Sequence, residues 1–184
     1  MKNWKTIASD IVFKSKFITI KNEKCKRDDG HIIPSYLIIE TQDSAGILAL
    51  TSDLKVVMTK QYRHAIKQIV LEPTAGYHDP QDKDLYITAE RELMEESGYK
   101  AKKIIKLGFS YPSAGISNTS THIFLGLDAE KIDKQHLDGN EQIDIQLIPW
   151  KDVLKMLKNG EIKSTWAQLA IHITNQYLQE NKLI

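Results

Sequence analysis

Three glutamates at i, i+3 and i+4 (Glu92, Glu95 and Glu96) stand in the segment Arg91-Glu92-Leu93-Met94-Glu95-Glu96-Ser97-Gly98-Tyr99. On a helix such side chains are neighbours, and each like-charged pair costs ~0.2–0.5 kcal/mol. A hard divalent cation, which takes carboxylate oxygens, offsets that repulsion. Upstream, Glu72-Pro73-Thr74-Ala75-Gly76 reads as a loop able to bring backbone carbonyls to the same place. Cations shared by such a helix and loop polarise a phosphate ester or anhydride. Arg91 is always cationic, so its task is to orient a glutamate through a charge-assisted bond, not to ligate metal. Glutamates at this spacing alone usually form a solvated helix face. Their company argues otherwise: Arg91, the glycine stop at Gly98 and the Pro-x-Ala-Gly loop each have a separate physical job.

The elements that must position these groups follow from periodicity. The glutamate helix is expected to begin after the N-cap Asp84, to bury Leu85, Ala89 and Leu93, and to end at Gly98. Short strands are expected at Ile11–Phe13, Phe17–Ile20 and Tyr36–Ile39, with Pro34 marking an edge or a bulge. Ile47–Leu50 and Lys55–Met58 read as a hairpin around Thr51-Ser52-Asp53, and their unbroken apolar runs suggest strands covered on both faces. Further strands are expected near 103–110, 121–127 and 143–149. Two helices close the chain. The first spans Lys151–Lys158 and stops at Gly160; the second carries Trp166, Leu169, Ala170, Ile173 and Tyr177 on one face, with Thr165 and Gln168 as a capping box. A mixed sheet between helices, an α/β/α sandwich, is the natural architecture. Residues 1–40 form a small N-terminal antiparallel β extension to a main domain at 41–184.

A chain of 184 residues, 41% hydrophobic and 27% charged, has the composition of an ordinary soluble domain. Its net charge of +1, without a long run of one sign, argues against nucleic-acid binding. The single cysteine, Cys25, fits a reducing compartment. The N-terminus lacks an apolar core of signal-peptide length, and no window reaches the roughly 18 apolar residues of a membrane span. A cytoplasmic protein without membrane attachment is expected. His64, His78 and His122 show no metal spacing, and nothing singles out one tryptophan.

The stretch Gly76–Tyr99 resembles the signature of Nudix hydrolases: a glycine, a spacer with a glutamate, then Arg-Glu-aliphatic-x-Glu-Glu-x-Gly-hydrophobic. From Arg91 to Tyr99 every fixed position matches. In the first half, Gly76 and Arg91 are one residue further apart than the usual pattern, and Asp82-Lys83 stand in place of the early glutamate. The likeness continues outside this box. Gln61-Tyr62-Arg63 and Leu71–Gly76 resemble the run before the box in pyrophosphatases of ADP-ribose and other nucleoside diphosphate sugars. Tyr111–Asn118 is similar to their substrate loop, and Glu141–Ile145 with Pro149-Trp150 to their late acidic loop, strand and helix start.

The resemblance implies a Nudix-type fold and metal-dependent hydrolysis of a nucleoside diphosphate sugar such as ADP-ribose, giving a nucleoside monophosphate and a sugar phosphate. It implies Mg2+ or Mn2+ held by Glu92 and Glu96, with Glu95 sharing or bridging and the Ala75 carbonyl completing the shell. Glu141 would act on the attacking water, with Glu95 as the alternative base. Arg63 would reach a phosphate or pack over the sugar. Glu72 would bond base or ribose, or else shape its loop. Ser113 and Gly115 lie in the substrate loop. The N-terminal strands would build a homodimer. Two departures touch substrate choice. The proline such pyrophosphatases carry after the box falls on Ala114, with Pro112 two positions early, and their Ser-x-Glu loop ending reads Ser117-Asn118-Thr119. GDP-mannose, another nucleotide sugar, a dinucleoside polyphosphate or a damaged nucleotide are therefore rival substrates. A silent nucleotide-sugar sensor is the rival of another class, but it would be expected to have lost glutamates that all remain here.

Overall fold

The computed structural model describes residues 2–184. Its elements in chain order are β1 (Lys5–Lys14), β2 (Thr19–Lys26), β3 (Ile32–Glu40), β4 (Ser44–Ala49), β5 (Lys55–Arg63), β6 (Gln68–Glu72), β7 (Thr74–Tyr77), α1 (Leu85–Ser97), β8 (Tyr99–Lys100), β9 (Lys103–Ser110), β10 (Thr121–Leu127), β11 (Glu130–Lys131), β12 (Ile143–Pro149), α2 (Trp150–Lys158) and α3 (Thr165–Glu180). Contacts gather them into two units, Met1–Asp43 with Tyr111–Ser120, and Ser44–Ser110 with Thr121–Ile184.

In the larger unit, strand alternation sends successive side chains to opposite faces. Ala45, Ile47 and Ala49 of β4, Val57 of β5 and Phe124 of β10 join Ala89 and Leu93 of α1 in one core. Leu48, Leu50, Val56, Met58 and Leu125 join Val153 of α2 and Ala167, Ile171 and Leu178 of α3 in a second. Strands buried on both faces must be apolar throughout, which is the pattern the sequence shows. The result is an α/β/α sandwich. One sheet has the order β7-β4-β10-β9, with β4 and β10 parallel and the other pairs antiparallel; another has the order β12-β5-β6.

Two expectations are corrected here. The turn Thr51–Lys55 forms, with the Thr51 N–H bonded to the Lys55 carbonyl at 2.9 Å. The strands flanking it, however, share one bridge, Leu50 to Val56, and then enter different sheets. Each serves as a central strand, so each needs partners on both edges and cannot spend one edge on a hairpin. In α3 the N-cap is Ser164, and the Gln168 side chain bonds back to the Ile162 carbonyl at 2.7 Å, so no Thr165–Gln168 capping box forms. The buried face is Ala167, Ala170, Ile171, Thr174 and Leu178, rotated by about one residue from the large-residue stripe. Small side chains let the helix approach the sheet. Trp166 flanks this face so closely to β4 that a Cβ on Gly46 would collide with its ring.

The smaller unit is an antiparallel sheet β1-β2-β3. Pro34 lies at a register shift in β3, an edge strand, where Ser35 and Pro34 together face Lys24 of β2. The segment Tyr111–Ser120 folds against β3: the Ile39 N–H bonds the Ile116 carbonyl at 2.7 Å, and Tyr36 Oη donates to the Gly115 carbonyl at 2.9 Å. No helix among the described residues is long and apolar enough to cross a membrane.

Candidate functional site

Local rules place the glutamates. Asp84 caps α1, its carboxylate accepting from the N–H of Tyr86 at 3.0 Å and of Ile87 at 3.1 Å. At the other end Gly98 has φ 74° and returns its N–H to the Met94 carbonyl. Ala89 and Leu93 are fully buried. That anchored stripe fixes the rotation of the helix, turning Glu92 against β7 and burying Glu96 to 5% exposure. The Glu92 carboxylate lies where a Cβ on Gly76 would be. Any other residue at position 76 would push the carboxylate off the strand.

Arg91 gathers three carboxylates. Its Nη1 donates to Glu92 Oε1 and to Glu95 Oε2, both at 2.8 Å, and its Nη2 donates to Asp82 Oδ2 at 3.0 Å. The hydrogen bond from Arg91 holds the Asp82 carboxyl below its usual range despite burial. Asp82 also accepts the Thr88 hydroxyl at 2.9 Å. With that hydrogen committed, Thr88 Oγ1 accepts from His78 Nδ1 at 2.9 Å. Arg91, expected to orient a glutamate, thus bonds Glu92, Glu95 and Asp82. Asp82 is a partner the sequence reading left outside its candidates, although it stands in the place of the box's early glutamate.

Burial pushes the Glu96 carboxyl from the ordinary 4.5 up to about 8, with the charges of Glu92 and Glu141 adding to the effect and Arg63 opposing it. Burial likewise raises Glu92, against the pull of Arg91. Glu92, Glu141, Arg63 and Glu72 therefore all act on Glu96, and Glu141 acts on Glu92 as well. Glu141 itself is exposed, its Oε2 accepting from the Asp138 N–H at 3.1 Å. Glu72, 3% exposed, is claimed by the protein: Arg63 donates to Oε1 from Nε at 2.9 Å and Nη2 at 2.6 Å, and Trp166 Nε1 donates to Oε2 at 3.2 Å. Trp166 carried no sequence signal, because its partner is 94 residues away.

Ala75 lies in β7, opposite Gly46 of β4. Ser113 and Gly115 belong to the smaller unit, where the Ser113 carbonyl accepts from the N–H of Ile116 and Ser117. Among the described residues no three histidine, cysteine, aspartate or glutamate side chains are already gathered as a ligand set; Glu92 and Glu95 are turned onto Arg91. Two observations nevertheless fit a divalent cation. Glu96 Oε2 is buried without a hydrogen-bond partner among the described residues. The bare backbone at Gly76 also seats the Glu92 carboxylate, where any Cβ would collide with it. Hard oxygen donors are what such a cation takes.

The NUDIX domain matches residues 40–168 of the chain. The ADP-ribose pyrophosphatase of Bacillus subtilis (strain 168) is 31% identical over 176 residues, covering 95% of this chain and 92% of that protein. The GDP-mannose pyrophosphatase of Escherichia coli O157:H7 is 27% identical over 194 residues, covering 97% of each. A crystal structure described as an ADP compounds hydrolase superposes with a TM-score of 0.88, covering 100% of this chain and 98% of that one, at 17% identity, and so shares the fold.

A carboxyl raised on folding stabilises the protein while it is protonated in the folded state. The Glu96 contribution is therefore full below pH 4.5 and lost as pH rises to about 8. Urea denaturation in chelator is expected to show stability declining across that window, with the decline flattened in Glu96→Gln. Equal slopes in the two proteins would contradict the burial of this carboxyl.

Proposed function

The chain belongs to the Nudix family, and from that premise we propose that it hydrolyses the diphosphate linkage of a nucleoside diphosphate sugar such as ADP-ribose, using Mg2+ or Mn2+. The observation that carries this reading is the buried Glu96 carboxylate, with one oxygen unpartnered among the described residues, one helical turn from the Glu92 carboxylate seated on Gly76. A buried carboxylate pair costs several kcal/mol unless something positive answers it. In this reading Glu92 and Glu96 hold the cation, Glu95 shares it and the Ala75 carbonyl adds a donor. The cation, when bound, neutralises diphosphate charge and acidifies the attacking water.

The chain's own groups do the rest. Arg63 binds a phosphate with the N–H groups that Glu72 leaves free. Arg91 aims Glu92 and Glu95. Glu141 takes the water's proton, since Glu95 is engaged by Arg91 while Glu141 sits on an exposed loop that can close over substrate. The water oxygen joins one phosphorus, the bridging oxygen leaves on the other, and AMP and ribose 5-phosphate result from ADP-ribose. For Ser113 and Gly115 the substrate-contact reading rests on the likeness of their loop to that of similar pyrophosphatases. GDP-mannose is the second reading, supported by the related GDP-mannose pyrophosphatase and by the departures in that loop. The single cysteine favours the cytoplasm.

The smaller unit is proposed as a homodimer element. All of β1 is exposed, including Ile7, Ile11, Val12 and Phe13, each at least half exposed, and β1 is an edge strand. Such an apolar edge invites pairing.

With Mg2+ or Mn2+, the protein is expected to convert ADP-ribose to AMP and ribose phosphate, identified by mass, and Glu96→Gln is expected to lose at least about 100-fold in kcat, as loss of a metal ligand does. Turnover of GDP-mannose in place of ADP-ribose would select the second reading. Tight binding of ADP-ribose or GDP-mannose without turnover of either would overturn the hydrolase. By light scattering the wild type is expected to run at twice the chain mass and Phe13→Asp with Ile11→Asp at the chain mass; a monomeric wild type would end the dimer proposal.

A further inference from the structure

Arg63 ends β5 with its side chain 45% exposed, a setting in which a guanidinium ordinarily samples several rotamers. Here it is tied down. It reaches back along the strand to Glu72, whose backbone carbonyl accepts the Thr59 hydroxyl at 2.9 Å and whose carboxylate is buried. Both Arg63 donors converge on Glu72 Oε1. Glu72 Oε2 would then be a buried lone acceptor, and it receives the Trp166 indole N–H at 3.2 Å. The indole cannot drift, because its ring lies over the bare face of Gly46 in β4. Helix α3 and strands β4, β5 and β6 thus combine to fix one half-exposed charge.

We infer that Trp166 is a positioning residue for diphosphate binding: its N–H orients Glu72, and Glu72 holds Arg63 with its unused N–H groups presented to the substrate's phosphates. Among the described residues Nη1 of Arg63 has no protein acceptor, which leaves it for an anion. This inference rests on the diphosphate-hydrolase reading. A tryptophan serving only as packing would need its ring and not its nitrogen, so the role turns on a single hydrogen atom.

The test removes that hydrogen while keeping the ring. A benzothiophene analogue of tryptophan, introduced at position 166 alone, preserves the bicyclic shape and lacks the donor; Trp166→Phe is the simpler companion. Each is compared with the parent in both wild-type and Arg63→Ala backgrounds, using ADP-ribose and Mg2+. The isostere is expected to keep the wild-type melting temperature and to raise KM about tenfold, the order of one charge-assisted hydrogen bond. Its kcat is expected to stay within about twofold, because the contact is made in ground and transition states alike. In the Arg63→Ala background it is expected to do nothing further. An unchanged KM in the isostere, or a KM rise of equal size without Arg63, overturns the inference while leaving the hydrolase standing. A wild-type protein silent toward ADP-ribose removes the substrate reading and this inference with it.

Discussion

Two carboxylates one helical turn apart, on a face that water scarcely reaches, set the terms for the rest of the site. Desolvation penalises the charged form of each, and each charge penalises the other. The protein supplies two guanidinium groups against six carboxylates in this neighbourhood: Arg91 with Asp82, Glu92 and Glu95, and Arg63 with Glu72, while Glu96 and Glu141 contribute charge without a guanidinium partner in contact. Left alone, such an arrangement resolves itself by protonating the most buried member, and Glu96 is shifted accordingly. A divalent cation resolves it differently and leaves a site able to take up a further anionic group.

The fold meets this constraint from both sides of the sheet. On one side Ala89 and Leu93 lock α1 so that Glu92 lies against β7, where Gly76 yields the space of a side chain. On the other, α3 sets Trp166 against β4, where Gly46 does the same for an indole ring. Both glycines occur in paired strands, Gly46 opposite Ala75 and Gly76 opposite Ala45. A missing Cβ weakens a strand, and here it lets Glu92 and Trp166 sit closer to the backbone than any other residue would permit.

What could be read directly from the sequence was what local rules control. The register of Glu92, Glu95 and Glu96, the cap at Asp84, the stop at Gly98 and the doubly covered strands follow from spacings of one to four residues or from a period of two. Sheet membership did not, because the turn at Thr51–Lys55 is compatible with either a hairpin or a crossing between sheets, and only the remaining edges decide. The buried face of α3 was misjudged because large apolar residues weigh most in a stripe, whereas close helix–sheet approach selects Ala167, Ala170 and Thr174. Asp82 and Trp166 escaped because their partners are distant in sequence: Arg91 lies nine residues on and Glu72 lies 94 back. Arg63 and Glu72 were found through the family resemblance. Their mutual bond, formed by Arg63 Nε and Nη2 on Glu72 Oε1, needed coordinates.

Whether the glutamates of α1 exist to hold a cation decides the chemistry of this site. Calorimetric titration of the protein with Mn2+ near pH 7, repeated in buffers of different protonation enthalpy, measures both affinity and protons released. With the Glu96 carboxyl at about 8, binding must expel its proton, so the account predicts release of close to one proton per site and the loss of both signals in Glu96→Gln. Binding with no proton release, or binding that persists unchanged in Glu96→Gln, would contradict it.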